Sequence, residues 1–140
     1  MLRSALVCMA ILGISALGCQ RTVVYIPQTQ EMRGYVSFKD GKPVTGGVIE
    51  FRNLRDPSLR AVGNIERDGS FELKTLAADQ RLQGIPPGRY EVTVAPPAEM
   101  GQTHSPYKFP KPIDILANQK EIRLEIEGFP SNTGDFASGQ

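Results

Sequence analysis

The sequence predicts an all-β fold, specifically a seven-stranded antiparallel β-sandwich. Polar and apolar residues alternate over short runs, and the chain is rich in the turn residues Gly (14) and Pro (11). Beyond the amino-terminal segment, no window of about 11 residues or more has the apolar period of a helix. Seven or so short strands within residues 32–127, separated by turns, are typical of a sandwich.

The amino-terminal segment, residues 1–18, is predicted to be a lipoprotein signal peptide. Arg3 supplies a positive start, and residues 4–18 are apolar or small, fewer than the roughly 20 residues that span a bilayer. The sequence Ser-Ala-Leu-Gly-Cys at residues 15–19 resembles a lipobox, although Ala16 stands where Leu is more common. A plain secretory signal and an uncleaved anchor helix are the alternatives.

Cys19 is the predicted lipidation site. Cleavage before it would remove Cys8 with the signal, so a single thiol would remain and no intramolecular disulfide is expected. Several acyl chains, palmitate among them, would hold the protein on a membrane, because stable anchoring takes more than one chain. We therefore expect a lipid-anchored protein of the cell envelope. In a cell with two membranes, Gln20 favours the outer membrane over another periplasm-facing one.

Residues 19–31 are predicted to form a lipidated tether, because they are polar, contain one proline and have no clear period. Residues 23–26 could still form a short first strand. The predicted sandwich domain, residues 32–127, opens with alternation at Val36 and Phe38 and a turn at Asp40-Gly41. Residues 44–52 follow as a second strand, in which Gly46-Gly47 indicates a bulge.

A hairpin is predicted in the middle of the domain, where residues 60–67 and 70–74 alternate on either side of Asp68-Gly69. Residues 76–82 are interpreted as a short helical turn. A turn over residues 84–88 then leads into a strand at residues 89–95, where Tyr90, Val92 and Val94 share one face.

The last part of the domain begins with a proline-rich loop, residues 96–112. Two strands follow at residues 113–116 and 120–127, and in the second Ile122, Leu124 and Ile126 alternate with charged residues. Residues 128–140 are small and polar and are predicted to be a flexible tail.

Three segments resemble the carboxypeptidase regulatory-like domain, which has a transthyretin-like (prealbumin-like) fold. They are GYVSFKDGKPVTGGVIEF at residues 34–51, GNIERDGSFELKT at residues 63–75 and PGRYEVTV at residues 87–94. The resemblance covers residues 32–127. It implies a seven-stranded sandwich that does not hydrolyse peptides itself and serves folding support, adhesion or partner binding; a fold alone does not assign function.

Catalysis and metal binding are not expected. His104 is the single histidine, whereas a zinc site needs three or four ligands, and no Gly-x-Ser-x-Gly nucleophile motif is present. Hydroxyisourate hydrolase shares the transthyretin-like fold, but its family relies on several histidines and a Tyr-Arg-Gly-Ser carboxyl end that this chain lacks. A hydrolase using His104 is the least favoured function, and no cofactor is predicted.

The loop at residues 96–112 is the candidate binding surface, with His104, Tyr107 and Phe109 as candidate binding residues. The favoured interpretation is that the loop is a stiff crossover between the sheets, in which Tyr107 and Phe109 cap the core. The formal net charge is +1, and loss of Arg3 with the signal would make it zero, so nucleic acid is not an expected partner. We expect a non-enzymatic membrane-anchored protein that binds an envelope protein or glycan; a purely structural coat or spacer lipoprotein is the alternative.

Overall fold

The computed structural model describes residues 25–101 and 103–132. Within these ranges the chain forms ten strands and no helix. In chain order the strands are β1 (Arg33–Phe38), β2 (Val48–Asn53), β3 (Arg60–Asn64), β4 (Ser70–Glu72), β5 (Lys74–Ala77), β6 (Gln80–Gln83), β7 (Gly88–Ala95), β8 (Tyr107–Lys108), β9 (Ile113–Ile115) and β10 (Glu121–Ile126). The prediction of an all-β fold is confirmed.

The ten strands form two sheets. The small sheet has the order β10-β1-β4, and the large sheet has the order β6-β5-β3-β2-β7-β8, with β9 pairing to a further part of β7. Every pairing is antiparallel except β1 with β10, which run parallel over six residue pairs. The structure thus differs from the predicted seven antiparallel strands. Almost the whole domain separates β1 from β10, so no hairpin constrains their direction.

The core lies between the two sheets and takes one residue in two from most of the longer strands. Phe51 of the large sheet and Phe71 of the small sheet face each other with ring centroids 6.4 Å apart. Tyr90 packs edge-on against Phe51 at 6.1 Å, and its buried hydroxyl donates to the Pro86 carbonyl at 2.7 Å. Strand alternation therefore produces a sandwich-like core in which the one large polar group is satisfied.

Gly34 makes room for Phe71 in the small sheet. The two residues are opposite each other in β1 and β4, and a Cβ on Gly34 would lie 2.0 Å from the Phe71 ring. The ring therefore covers the glycine of the neighbouring strand, and a larger residue at position 34 would displace it.

The predicted hairpin around Asp68-Gly69 is only partly right. The turn forms, with the Glu66 N–H donating to the Ser70 carbonyl at 2.8 Å and a positive φ of 82° at Gly69. Its arms then join different sheets, because β3 pairs with β2 and β5 whereas β4 pairs with β1. The chain crosses from the small sheet to the large sheet at Leu73, which is fully buried.

The helical turn expected over residues 76–82 is wrong. These residues belong to the β5–β6 hairpin, in which Thr75 pairs with Leu82 and Ala77 with Gln80. The tight turn places Ala78 at a positive φ of 51°. Neither Gly nor Asn marks that position, so the sequence lacks the usual signal for a two-residue turn.

The two ends of the sandwich differ in what covers them. The tether end is the end at which β1 begins; it holds Gln30 and the turn at residues 116–119. The far end is closed by residues 96–101, 103–106 and 128–132. There Ser105 N–H donates to the Pro130 carbonyl at 2.7 Å, and Phe129 packs edge-on against Phe38 at 6.2 Å. The segment predicted to be a tail thus begins with residues that contact the domain.

The residues expected to form the tether also begin to contact the sandwich before β1. Gln30 and Ile85 form an isolated antiparallel bridge with backbone hydrogen bonds of 3.0 and 2.9 Å. Tyr25 and Ile26, which precede it, lie outside any strand and are exposed. In the part of the chain that the structure describes, no helix is long and apolar enough to cross a membrane.

Candidate functional site

The predicted lipidation site, Cys19, lies outside the described residues. The remaining candidates, His104, Tyr107 and Phe109, lie on the segment between β7 and β9. Tyr107 begins β8, which pairs with β7, and the Phe109 N–H donates to the Val92 carbonyl at 3.0 Å. The crossover segment is therefore fastened to the edge of the large sheet.

Tyr107 and Phe109 pack together against the core. Their rings are perpendicular, with centroids 5.2 Å apart, and both are half-buried beside the core residues. An edge-to-face pair of this kind favours packing by about 0.5–1.5 kcal/mol beyond the area it buries. The geometry supports a capping role for the two rings.

His104 is held in the far-end loop by its nearest neighbours. Its backbone N–H donates to the Met100 carbonyl at 2.9 Å, and its Nδ1 lies 2.8 Å from the Thr103 hydroxyl. Its backbone forms an isolated bridge with Ser131. Across residues 25–101 and 103–132, no group of three or more His, Cys, Asp or Glu side chains is placed to hold a metal ion.

A different concave surface, which we call the corner groove, runs along the strand that changes sheets. It measures about 610 Å³ and is lined by side chains of β1 to β6 and of the β3–β4 turn, including Arg33, Tyr35, Val62, Glu66, Asp68, Glu72, Lys74, Leu76 and Arg81. The groove exists because β4 and β5 are one alternating run that bends between the sheets. Their outward side chains therefore line a single surface.

Gly63 lets the two sheets meet closely at this corner. A Cβ at position 63 would lie 2.7 Å from the backbone oxygen of Glu72. Because Gly63 has no side chain, β3 can approach the β4 backbone closely. The outer faces of the two sheets therefore form one continuous surface at this corner.

The floor of the groove combines apolar and aromatic groups. Val62 and Leu76 lie on neighbouring strands of the large sheet and are half-buried on its outer face. Tyr35 lies on the small sheet, where the Arg123 guanidinium sits 4.9 Å from the centre of its ring. The cation–π contact holds one side of the tyrosine and leaves it half-buried.

Charge divides the groove into two ends. Lys74 and Arg81, on β5 and β6, line one end, and no ion pair joins either to another described residue. Glu66 and Asp68 line the other end in the β3–β4 turn. Between them, Arg33 and Glu72 neutralise each other in an exposed ion pair at 3.3 Å.

Asp68 is kept ionised by its own turn. The hydroxyl and the N–H of Ser70 both donate to its carboxylate, at 2.5 and 2.9 Å, and these bonds lower the pKa of Asp68. Asp68 therefore carries a negative charge at neutral pH.

The groove is suited to binding an extended segment that carries opposite charges toward its two ends and apolar groups beside the acidic one. Its residues come from strands that meet only in the folded chain, so sequence reasoning missed them. One signal was present: Leu76 is apolar on the polar face of the alternating run from Ser70 to Ala77. An apolar residue at such a position indicates either a crossing point between sheets or a contact surface.

Comparison with known proteins adds no assignment to this geometry. No protein-family model matches the chain, and no curated protein matches it.

Proposed function

We propose that this chain is a lipid-anchored, non-enzymatic envelope protein that binds an extended segment of a protein partner in the corner groove. The observation that carries the proposal is the unpaired positive end of the groove, Lys74 and Arg81, opposite the acidic end at Glu66 and Asp68. Two separated charges of opposite sign orient a chain that lies between them and disfavour the reversed one.

An extended polypeptide fits this surface better than a glycan. A peptide can place an acidic group at the Lys74 end and a basic group at the Asp68 end. Val62 and Leu76, which pair with Lys74 and Arg81 across neighbouring strands, offer apolar contacts beside the positive end. Tyr35 could stack on a sugar ring, but Arg123 already lies over its ring at 4.9 Å. A glycan is therefore the less favoured partner for this surface.

Membrane anchoring rests on the lipobox-like residues 15–19. Its test is the intact mass of the protein extracted from membranes, with Cys19→Ala as the control. A mature chain that begins at an acylated Cys19 supports the anchor, and a chain cleaved elsewhere or left uncleaved contradicts it.

Partner binding is tested by site-specific photo-cross-linking in the intact envelope. A photoreactive amino acid replaces Leu76 in the groove, and in a control strain it replaces Lys111, which is exposed beyond β8 at the opposite edge of the large sheet. We expect a discrete protein adduct from position 76 that is absent from position 111.

Charge reversal makes the test specific. Lys74→Glu with Arg81→Glu should reduce the adduct from position 76 several-fold, because the positive end of the groove would become negative. The matched control, Lys108→Glu with Lys111→Glu, makes the same change in charge at the opposite edge and should leave the adduct intact. Equal loss in both variants, or no adduct from position 76, would contradict the groove as the binding site.

We also propose that the sandwich is a carboxypeptidase regulatory-like domain with the transthyretin-like fold. The support is that the three similar segments coincide with structural units. Residues 34–51 contain most of β1 and β2, residues 63–75 contain β4 and its turn, and residues 87–94 contain most of β7. An experimental structure whose sheets superpose on that fold with the same strand order would support the assignment, and a different strand order would contradict it.

A further inference from the structure

Exposed apolar side chains gather toward one end of this molecule. Of the five large hydrophobic residues that the structure describes as exposed, Leu116 (66% exposed) and Leu54 (46%) lie at the tether end, and Tyr25 (81%) and Ile26 (51%) lie in the segment that leads into it. Val48 (41%) is the exception, at the opposite end of β2. Isolated exposed leucines are ordinary, but four apolar residues collected toward one end need a reason.

Backbone pairing fixes Leu54 and Leu116 at the same end. The Leu54 N–H donates to the Arg89 carbonyl at 3.0 Å, and Arg89 is the register partner of Asp114. Leu116 follows directly after β9, whose last residue, Ile115, pairs with Gly88. Both leucines therefore lie beside the first residues of β7, Leu54 after β2 and Leu116 after β9.

The exposure of the two leucines is built into tight turns. Leu116 N–H donates to the Gln119 side chain at 3.0 Å, and Asn118 takes a positive φ of 65° in the same turn. Next to Leu54, the buried Asn53 side chain accepts from the N–H groups of residues 55 and 56 at 2.9 and 3.0 Å. In each turn the preceding residue is buried and the leucine is held outward.

The tether leads to this same end. The Gln30 side chain donates to the Leu116 carbonyl at 2.7 Å and accepts from the Asn118 N–H at 2.9 Å. Five residues separate Cys19 from Tyr25, so even a fully extended chain spans only about 20 Å over these six steps. A lipid on Cys19 would keep the tether end within reach of the membrane surface.

We propose that Leu54 and Leu116, with Tyr25 and Ile26, dock into the interfacial layer of the membrane that holds the lipid anchor. Apolar groups beside a lipidated residue add to its membrane affinity, and a tyrosine is well suited to the boundary between lipid and water. The strands then stand away from the membrane with the far end outermost. This inference rests on the proposed lipid anchor.

Fluorescence of the lipidated mature protein in vesicles tests the docking. Leu54→Cys, Leu116→Cys and the control Val48→Cys each receive an environment-sensitive thiol label; acylation blocks Cys19. The proteins are reconstituted into phosphatidylethanolamine–phosphatidylglycerol vesicles. Quenching is measured with aqueous iodide and with a lipid that carries a nitroxide high on its acyl chain.

We expect the labels at positions 54 and 116 to be quenched by the nitroxide lipid and protected several-fold from iodide, with the opposite behaviour at position 48. Equal iodide quenching at all three positions, while the protein still floats with the vesicles, would overturn the docking and keep the anchor. Protection from iodide without nitroxide quenching would overturn it in favour of contact between copies of the chain. A protein that fails to float with the vesicles would overturn both proposals.

Discussion

The two ends of the sandwich differ in how far their large apolar side chains are exposed. At the far end, Phe129 covers Phe38, and on the segment that runs back from it Phe109 packs against Tyr107. At the tether end, Leu54 and Leu116 face outward from turns held by hydrogen bonds. The difference teaches that aromatic residues which the sequence offered as binding candidates pack against the core, whereas two leucines that the sequence did not single out stay exposed.

The largest expected effect on stability is in the segment between β7 and β9, where Tyr107 and Phe109 pack against the core. Phe109→Ala should lower the free energy of unfolding by about 3 kcal/mol, because it removes a half-buried ring and its contact with Tyr107. Urea unfolding followed by circular dichroism measures this change. A loss below about 0.5 kcal/mol, the range of ordinary surface changes, would show that the ring does not cap the core.

A smaller effect is expected where the tether joins the sandwich. Gln30→Ala removes side-chain hydrogen bonds to Leu116, Asn118 and Gln119, and should lower the free energy of unfolding by about 1–2 kcal/mol. The exposed Gln28→Ala is the matched control and should be nearly neutral. Equal unfolding midpoints for the two variants would mean that the Gln30 contacts do not hold the turn at residues 116–119.

The outward leucines should matter little to the isolated fold. Leu54→Ser and Leu116→Ser are expected to change the free energy of unfolding in detergent-free buffer by less than about 0.5 kcal/mol, because both side chains are already solvated. The non-lipidated Cys19→Ala protein is the background for this measurement. A loss comparable to that of Phe109→Ala would place these leucines in the core and remove the contrast between the ends.

The smallest effect concerns the ion pair at the far end. Lys39 donates to Glu127 at 2.5 Å; that hydrogen bond and the lysine charge lower the pKa of Glu127 below its usual 4.5. A lowered folded-state pKa contributes stability above the unfolded value, and this is lost as pH falls through the folded value. Unfolding midpoints should therefore fall less steeply below pH 4.5 in Glu127→Gln than in the parent. Glu31→Gln, at the tether end, is the control, and identical slopes for Glu127→Gln and the parent would contradict the prediction.

Alternation along single strands made the all-β character and much of the core predictable. Tyr90, Val92 and Val94 lie inward as expected, because a strand turns every second side chain to the same face. The turn at Asp68-Gly69 was likewise predictable, since glycine takes its positive φ without strain. Strand alternation and tight turns depend on residues that are close in the chain, so local sequence predicts them.

The corner groove and the parallel β1–β10 pair could not be predicted in this way. Val62 pairs with Lys74, and β1 pairs with β10, through contacts between separate parts of the chain that no local pattern specifies. The same limit produced the error at residues 76–82, where Ala78 enters a tight turn that favours glycine or asparagine. Pairing between strands overrides local preference because the hairpin gains hydrogen bonds and buries Thr75 and Ala77.

Local sequence is thus enough to predict most of the strands, most turns and the hypothesis of a lipidated Cys19. Tertiary structure alone decided that β4 and β5 divide between two sheets and which apolar residues remain outside. The physical reason is that alternation says which residues share a face, whereas the burial of that face depends on what packs against it. Tyr107 and Phe109 pack against the core, whereas Leu54 and Leu116 stay exposed.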